Sequence, residues 1–163
     1  MGKDIHLNII SAEGEVLKQN IFDGRNHEWF DNMSGDGFDF EYDHLNICYG
    51  FPENAPEDFV KHYEDKRTYF DRRYINVNDF CNWFEKYRPD LDAGWVSTYD
   101  KWRIEKKGYI PNEPIHYLEN ADNINDMHFV EFENKYDCSK WLYNYLKDNH
   151  IPPSANIVYC FDW

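Results

Sequence analysis

The sequence lacks the features that mark membrane and secreted proteins. No apolar run approaches the roughly 18 residues of a membrane-spanning helix, and Met1-Gly2-Lys3-Asp4 begins no apolar signal segment. Its four cysteines form no Cys-x-x-Cys pair, so we expect reduced thiols, with structural zinc as their least favoured use. These absences predict a cytoplasmic protein with no membrane partner.

Positive charge is also scarce. Lys and Arg number 17 against 31 Asp and Glu, which gives a formal net charge of −14. Such an excess of negative charge repels nucleic-acid phosphates, so we expect no duplex nucleic-acid partner. The charge leaves open a small anionic ligand in a locally basic pocket, or a basic protein surface.

Aromatic residues, in contrast, are abundant. The chain has 6 Trp, 13 Tyr and 12 Phe, or 19% of its residues. The mean hydropathy of −0.87 is low, but disordered chains are poor in aromatics. The composition therefore predicts a folded protein with an aromatic core and an acidic surface, large enough to need no disulfide or metal.

The pattern along the chain favours a single α+β domain over residues 1–163, with a mixed or antiparallel sheet and flanking helices. The chain opens with two alternating segments joined by a turn, which indicates a hairpin, and helices do not alternate regularly with strands. Both terminal strands are apolar enough for the sheet interior, and Gly24-Arg25-Asn26 is expected to end the second strand. The predicted strands cover 4–10, 16–22, 74–77, 127–132 and 157–162; the predicted helices cover 27–33, 57–69, 79–87, 99–107 and 138–149.

Asp4 and His6 lie two residues apart on the first predicted strand, so their side chains share a face. A carboxylate and an imidazole in this arrangement can ligate a metal or share a proton. The structural alternative, which we favour for a single short pair, is an edge Asp4 beside a hydrogen-bonded His6.

A second candidate follows the hairpin, at Gly24-Arg25-Asn26-His27. A helix that begins at His27 adds backbone donors to the Arg25 guanidinium, and together they form a seat for an anion. Arg25, Asn26 and His27 are therefore candidate ligand-binding residues. Pairing of Arg25 with Asp23 or Glu28 is an equally supported alternative.

A third candidate lies in residues 94–103, where two Trp and a Tyr lie near Lys101 and Arg103. Aromatic faces and a guanidinium suit stacking on a nucleobase and binding of a phosphate. Core packing is the more frequent role of tryptophan. The candidate ligand-binding residues are Trp95, Tyr99, Trp102 and Arg103.

Acidic residues are concentrated between Glu28 and Asp43. This stretch has six acidic residues and no Lys or Arg. A solvated surface is the favoured interpretation, ahead of a metal or partner site.

Asp-x-His followed by Gly-x-Asn-His resembles, in residue types, the motifs of calcineurin-like metallophosphoesterases. In this chain Arg25 interrupts the Gly-Asn-His motif, Gly35-Asp36 follows it instead of preceding it, and too few residues separate the motifs for the family's βα units. Metal-dependent hydrolysis, with Asp4 and His6 as ligands, is therefore kept only as an alternative.

The motifs taken together resemble those of an uncharacterised family of small bacteriophage proteins. That family begins Met-Gly-x-Asp-Ile-His, continues through Gly-Arg-Asn-Tyr and Gly-Leu-Pro-x-Asp, and closes on a strand ending Phe-Asp-Asn. This chain has Met-Gly-Lys-Asp-Ile-His at 1–6, Gly-Arg-Asn-His at 24–27, Gly-Phe-Pro-Glu-Asn at 50–54 and Phe-Asp-Trp at 161–163. The resemblance implies a phage source and a host-cell cytoplasm, and it marks Asp4, His6, Arg25 and Asn26; it implies no particular activity.

Small accessory phage proteins without catalytic motifs are often counter-defence factors, and three mechanisms fit different features of this chain. The favoured one needs no cofactor: the protein binds and sequesters a nucleotide messenger, such as a cyclic dinucleotide or cyclic ADP-ribose, through aromatic stacking with Arg25 and Arg103. The second is a phosphodiesterase with a divalent metal at Asp4 and His6. The third is an acidic inhibitor of a host defence protein. Homo-oligomerisation is left open.

Overall fold

The computed structural model describes residues 4–65, 67–111, 115–116 and 126–162. The chain divides into two compact units, one formed by Met1–Tyr87 with Cys138–Trp163 and the other by Arg88–Asp137. Both units combine helices with antiparallel strands, which confirms the α+β class. The assignment of residues 1–163 to a single domain stays a prediction.

The first unit is built on a five-stranded sheet in the order β2-β1-β7-β4-β3, in which every neighbouring pair is antiparallel. Its strands are β1 Asp4–Ile10, β2 Val16–Arg25, β3 Cys48–Tyr49, β4 Tyr69–Asn76 and β7 Asn156–Asp162. Its helices are α1 His27–Ser34, α2 Glu57–Tyr63, α3 Val77–Tyr87 and α5 Ser139–Asp148, with a 3-10 helix at Phe40–His44.

The second unit is smaller. Its strands β5 (Leu91–Ser97) and β6 (Met127–Glu133) pair antiparallel, and helix α4 covers Thr98–Lys107. The Ser97 side chain caps the start of α4, and Gly108, in the left-handed region at φ 64°, ends it as predicted. Among helices in the described part of the chain, none is long and apolar enough to cross a membrane.

Both terminal strands lie inside the sheet, as predicted. β1 pairs with β2 and β7, and β7 pairs with β1 and β4. The odd-numbered residues of β1 face the main core, where Ile5, Leu7 and Ile9 are fully buried. This follows from strand geometry, because alternate side chains point to opposite faces of a sheet.

The two faces of this sheet differ in how they are covered. The main core packs α1, α3 and α5 onto one face through side chains such as Trp29, Phe80 and Leu142. The opposite face has a smaller cluster, in which Phe59 and Tyr63 of α2 are buried. This thinner cover leaves room for polar side chains on the second face.

The prediction that Gly24-Arg25-Asn26 ends the second strand is wrong. β2 continues through Arg25, because Gly24 pairs with Ile5 and Arg25 pairs with Asp4. Asn26 then ends the strand by capping α1 through its side chain.

The predicted helix over 57–69 is too long. α2 ends at Tyr63, and Tyr69 already belongs to β4, where it pairs with Asp162. Strand pairing with β7 outweighs the local helical pattern, since aromatic residues are favoured on a half-buried pleated surface. The same pairing makes β4 start earlier than the predicted strand at 74–77, and Val77 begins α3.

None of the four cysteines forms a disulfide in the described part of the chain. Cys81 and Cys160 are buried, whereas Cys48 and Cys138 are half-buried. Burial raises the pKa of Cys160 from its ordinary value of 9 to about 12, so at neutral pH this thiol is protonated and unreactive.

The raised pKa of Cys160 predicts a loss of stability in alkali. The folded state keeps the Cys160 thiol neutral. The contribution of this thiol to the free energy of unfolding is therefore complete below pH 9 and is lost as pH rises towards 12. Ionisation of this thiol in the unfolded chain should lower the free energy of unfolding by about 2 kcal/mol between neutral pH and about pH 10.5. Urea unfolding at a series of pH values measures this, and Cys160→Ala should show a flatter decline. Parallel pH profiles for the two proteins would contradict the assignment.

Candidate functional site

Strand pairing brings together polar residues from three distant segments of the first unit. Asp4 of β1 pairs with Arg25 of β2 and with Asp162 of β7. Directly opposed residues of neighbouring antiparallel strands lie on the same face, so these side chains form a row at one end of the sheet. With His6 and Asn20 beside them, we name Asp4, His6, Asn20, Arg25 and Asp162 the strand-end cluster.

Arg25, like Asn20, is an exposed member of the strand-end cluster. Its Nε donates to Oδ1 of Asp4 at 2.8 Å, and 63% of its side chain is exposed. Asp4, across the strands, is thus a partner acid of Arg25. The contact with Asp4 orients the Arg25 guanidinium, and most of the side chain is exposed to solvent.

His6 is the central, more buried member. Its Nε2 lies 2.7 Å from Oδ2 of Asp162 and its Nδ1 lies 3.0 Å from Oδ1 of Asn20. The His6 side chain is 12% exposed and that of Asp162 is 21% exposed. Both ring nitrogens of His6 thus lie within hydrogen-bond distance of a side-chain oxygen. Such a pair can act in proton transfer or simply stabilise the fold.

An irregularity in β2 brings Asn20 to His6. The β1–β2 register shifts between Leu7 and Ile9, and Asn20 adopts a left-handed backbone at φ 52°. Its backbone N–H donates to the side chain of the buried Asn8 at 2.8 Å. Bulges re-aim side chains in this way, often beside functional sites.

Aromatic side chains border the cluster on the same face of the sheet. The Tyr69 ring meets His6 edge-on at 5.6 Å between centroids, and the Tyr63 ring lies 6.5 Å away. Burial raises the pKa of both phenols, so both hydroxyls stay protonated at neutral pH. The cluster is therefore bordered by aromatic rings that also carry hydrogen-bond donors.

A second guanidinium lies on the other side of the His6–Asp162 pair in the strand order. Arg72 of β4 donates through Nε to the backbone oxygen of Tyr63 at 2.8 Å. Burial raises the pKa of Cys160, and the positive charge of Arg72 acts in the opposite direction. Arg25 and Arg72 thus place positive charge on both flanks of the pair.

Asn26 and His27, the other predicted residues of this segment, adjoin Arg25. The Asn26 side-chain oxygen accepts from the backbone N–H of Trp29 at 3.0 Å, and its amide nitrogen donates to Cys138 Sγ at 3.3 Å. These contacts give Asn26 a structural role as the cap of α1. His27 is exposed at the first turn of the helix, and binding of a ligand by either residue stays a prediction.

The predicted aromatic residues belong to the second unit, and there Trp102 is not a core residue. The rings of Tyr99 and Trp102 stack at 6.1 Å with an interplanar angle of 22°, and their exposed fractions are 65% and 47%. Trp95 packs edge-on against Phe129 at 5.4 Å. Core packing, the more frequent role of tryptophan, therefore does not describe Trp102.

Arg103 is already engaged within the second unit. Its guanidinium lies 3.6 Å from the centroid of the Tyr109 ring, and its Nη1 donates to Asp100 at 3.1 Å. These contacts make it less available to a phosphate than Arg25. Contact of Trp95, Tyr99, Trp102 or Arg103 with a ligand stays a prediction.

The metal alternative has limited geometric support. Asp4 faces Arg25, and His6 faces Asp162 and Asn20. Across residues 4–65, 67–111, 115–116 and 126–162, no group of three or more His, Cys, Asp or Glu side chains is arranged to hold a metal ion. A divalent metal at Asp4 and His6 stays a prediction.

Two members of the strand-end cluster were not among the predicted site residues. Asp162 carries a sequence signal, because it belongs to the Phe-Asp motif that supports the phage-family resemblance. Asn20 carries none, since its approach to His6 depends on the register shift in β2.

Comparisons with known proteins add no relative. No protein-family model matches the chain, and searches of curated proteins and of solved structures find no match.

The two ion pairs of the cluster should differ in strength. His6–Asp162 is mostly buried, so we expect a coupling of about 1.5–3 kcal/mol, as for hydrogen bonds to charged groups. Arg25–Asp4 is exposed to solvent and should contribute about 0–1 kcal/mol. Double-mutant cycles with alanine at each position, measured by urea unfolding, give both values. An equal or reversed order would contradict the geometry.

Proposed function

We propose that the protein binds a small phosphorylated, nucleotide-derived ligand at the strand-end cluster and holds it chemically unchanged. The observation that carries this proposal is the state of Arg25, whose side chain is 63% exposed yet oriented by Asp4 at 2.8 Å. An arginine held in this way loses little further freedom when it binds a phosphate.

Three members of the cluster, with the Tyr69 ring that borders it, match the parts of such a ligand. The Arg25 guanidinium offers paired donors that suit phosphate oxygens. The carboxylates of Asp4 and Asp162 accept hydrogen bonds from sugar hydroxyls, and the Tyr69 ring offers an aromatic contact for a base. The ligand class combines all three chemical groups in one small molecule.

The local charge balance supports binding of an anion despite the acidic chain. Arg25 offsets Asp4, and the Arg72 guanidinium adds positive charge on the other side of the His6–Asp162 pair. The net charge of −14 acts over longer distances, where salt screens it beyond about 8 Å at physiological ionic strength. Contacts inside the cluster therefore outweigh the long-range repulsion.

The role we propose for this binding is sequestration of an immune messenger, of the cyclic dinucleotide or cyclic ADP-ribose type, by a phage counter-defence protein. The resemblance to phage proteins supports the source. The lack of a recognisable nucleophile motif in the sequence supports sequestration over turnover.

A second candidate function follows from the 2.7 Å contact between His6 and Asp162. A histidine–carboxylate pair can move a proton during hydrolysis, so a phosphodiesterase that degrades the same messenger is the alternative. A divalent metal at Asp4 and His6 would supply activation of water.

Arg25→Lys should weaken ligand binding while it leaves the fold intact. Lysine keeps the charge but loses the paired donors, so we expect a loss of about 1.5–3 kcal/mol in binding free energy. The free energy of unfolding should change by less than about 0.5 kcal/mol, as at other surface positions. Calorimetric titration with the cyclic dinucleotide or cyclic ADP-ribose that gives the largest thermal shift in wild type measures the first, and urea unfolding the second.

The matched control for this experiment is Arg67→Lys, at an exposed arginine in the turn before β4. That variant should bind with wild-type affinity. A dissociation constant for Arg25→Lys equal to that of wild type would remove Arg25 from the site.

Chemical analysis of the bound messenger separates the two candidate functions. After incubation with purified protein and Mg²⁺ or Mn²⁺, the messenger should be recovered intact upon denaturation of the protein. Turnover that needs the metal and is abolished by both Asp4→Asn and His6→Ala would instead make the phosphodiesterase the primary function.

A further inference from the structure

Two exposed aromatic surfaces of opposite charge lie outside the strand-end cluster. The first, which we name the acidic loop, comprises Phe38 and Phe40 with the acids around them in residues 28–43. The second, which we name the α4 surface, comprises Tyr99 and Trp102 with the lysines of α4. Each presents large apolar side chains to solvent, a property typical of interaction sites.

The acidic loop holds Phe38 outward on a well-defined support. The Phe38 side chain is 102% exposed. Beneath it, the buried Asn32 donates to the Asp39 carboxylate at 2.9 Å and accepts from the Asp39 backbone N–H at 3.4 Å. A Cβ on Gly37 would lie 1.9 Å from Asn32 Oδ1, so only glycine fits this approach. The loop thus presents a fully exposed phenylalanine from a preorganised turn.

The charged residues of the acidic loop are all negative. Residues 28–43 contain six acids and no Lys or Arg. Glu28, Asp31 and Asp36 are exposed. A partner for Phe38 must therefore combine an apolar contact with basic residues around it.

The α4 surface has those properties. Helix α4 contains no buried residue, and Tyr99 and Trp102 are exposed as a stacked pair. The helix carries Lys101, Arg103, Lys106 and Lys107 against Asp100 and Glu105, so it is basic within an acidic chain. The Lys107 ammonium lies 5.7 Å from the centroid of the Trp102 ring, which places positive charge beside the apolar contact.

We propose that the occupant of each surface is a second copy of this chain, with the acidic loop of one copy docked on the α4 surface of the next. The two surfaces are complementary in charge, and both carry aromatic anchors of the type that dominate interfaces. A contact between two acidic loops would bring carboxylates together, and a contact between two α4 surfaces would bring lysines together. The contact we propose is therefore head-to-tail.

This inference goes beyond the proposed ligand binding and does not depend on it. It gives Tyr99 and Trp102 a role in protein contact instead of base stacking. A head-to-tail contact leaves one unused surface at each end of an assembly, so copies add until a ring closes or a filament grows.

Sedimentation velocity over a range of protein concentrations tests the proposal. Wild type should sediment faster as concentration rises, and added salt should reduce this association. Phe38→Ser and Trp102→Ala should each weaken association by about tenfold or more, as expected for interface anchors. Tyr49→Ala, which removes an exposed aromatic outside both surfaces, is the control and should associate like wild type.

Mixing the two variants gives the sharpest test. The Phe38→Ser copy retains the α4 surface and the Trp102→Ala copy retains the acidic loop, so an equimolar mixture should form a one-to-one dimer and nothing larger. Urea unfolding of each variant verifies that it is folded.

Three results would overturn the proposal. One is a wild-type protein that stays monomeric at every concentration, which would leave the surfaces to a different partner. Another is association that survives Phe38→Ser. The third is a mixture that remains monomeric although both variants fold, which would indicate a symmetric contact.

Discussion

The pairing of β1 with two partners is the constraint on which the rest of the first unit depends. β1 is hydrogen-bonded to β2 on one side and to β7 on the other, so the beginning of the chain is enclosed between a near neighbour and the end of the chain. A shift of one residue in either register would turn its apolar side chains away from the core. The burial of Ile5, Leu7 and Ile9 therefore determines where the polar side chains of the same strand lie.

That register explains why a polar cluster exists at one end of an aromatic core. With odd residues of β1 facing the core, Asp4 and His6 must face the thinly covered side of the sheet. The antiparallel pairing then sets Arg25 and Asp162 beside Asp4, and each acid gains a basic partner. Side chains from β1, β2 and β7 thus converge at one place, although β1 and β7 are far apart in the sequence.

Much of the fold was predictable, because it follows from local patterns. The terminal strands, α3, α5 and the glycine cap of α4 are encoded by apolar spacing and capping residues close in sequence. The errors occur where strand pairing decides the outcome: β2 continues through Arg25 by pairing with β1, and β4 starts at Tyr69 by pairing with the distant β7. The site was predictable only in part for the same reason: Asp4, His6 and Arg25 stand in motifs, whereas the approach of Asn20 depends on a bulge that local propensity does not reveal.

The central claim is that one polar cluster on the sheet face binds the phosphorylated ligand. Its most direct test is nuclear magnetic resonance of uniformly labelled protein, titrated with a cyclic dinucleotide and, separately, with cyclic ADP-ribose. We expect saturable changes at the backbone amides of Asp4, Arg25 and Asp162 and at the Arg25 side-chain Nε–H. Changes confined to α4, or no saturable change with either ligand, would contradict it.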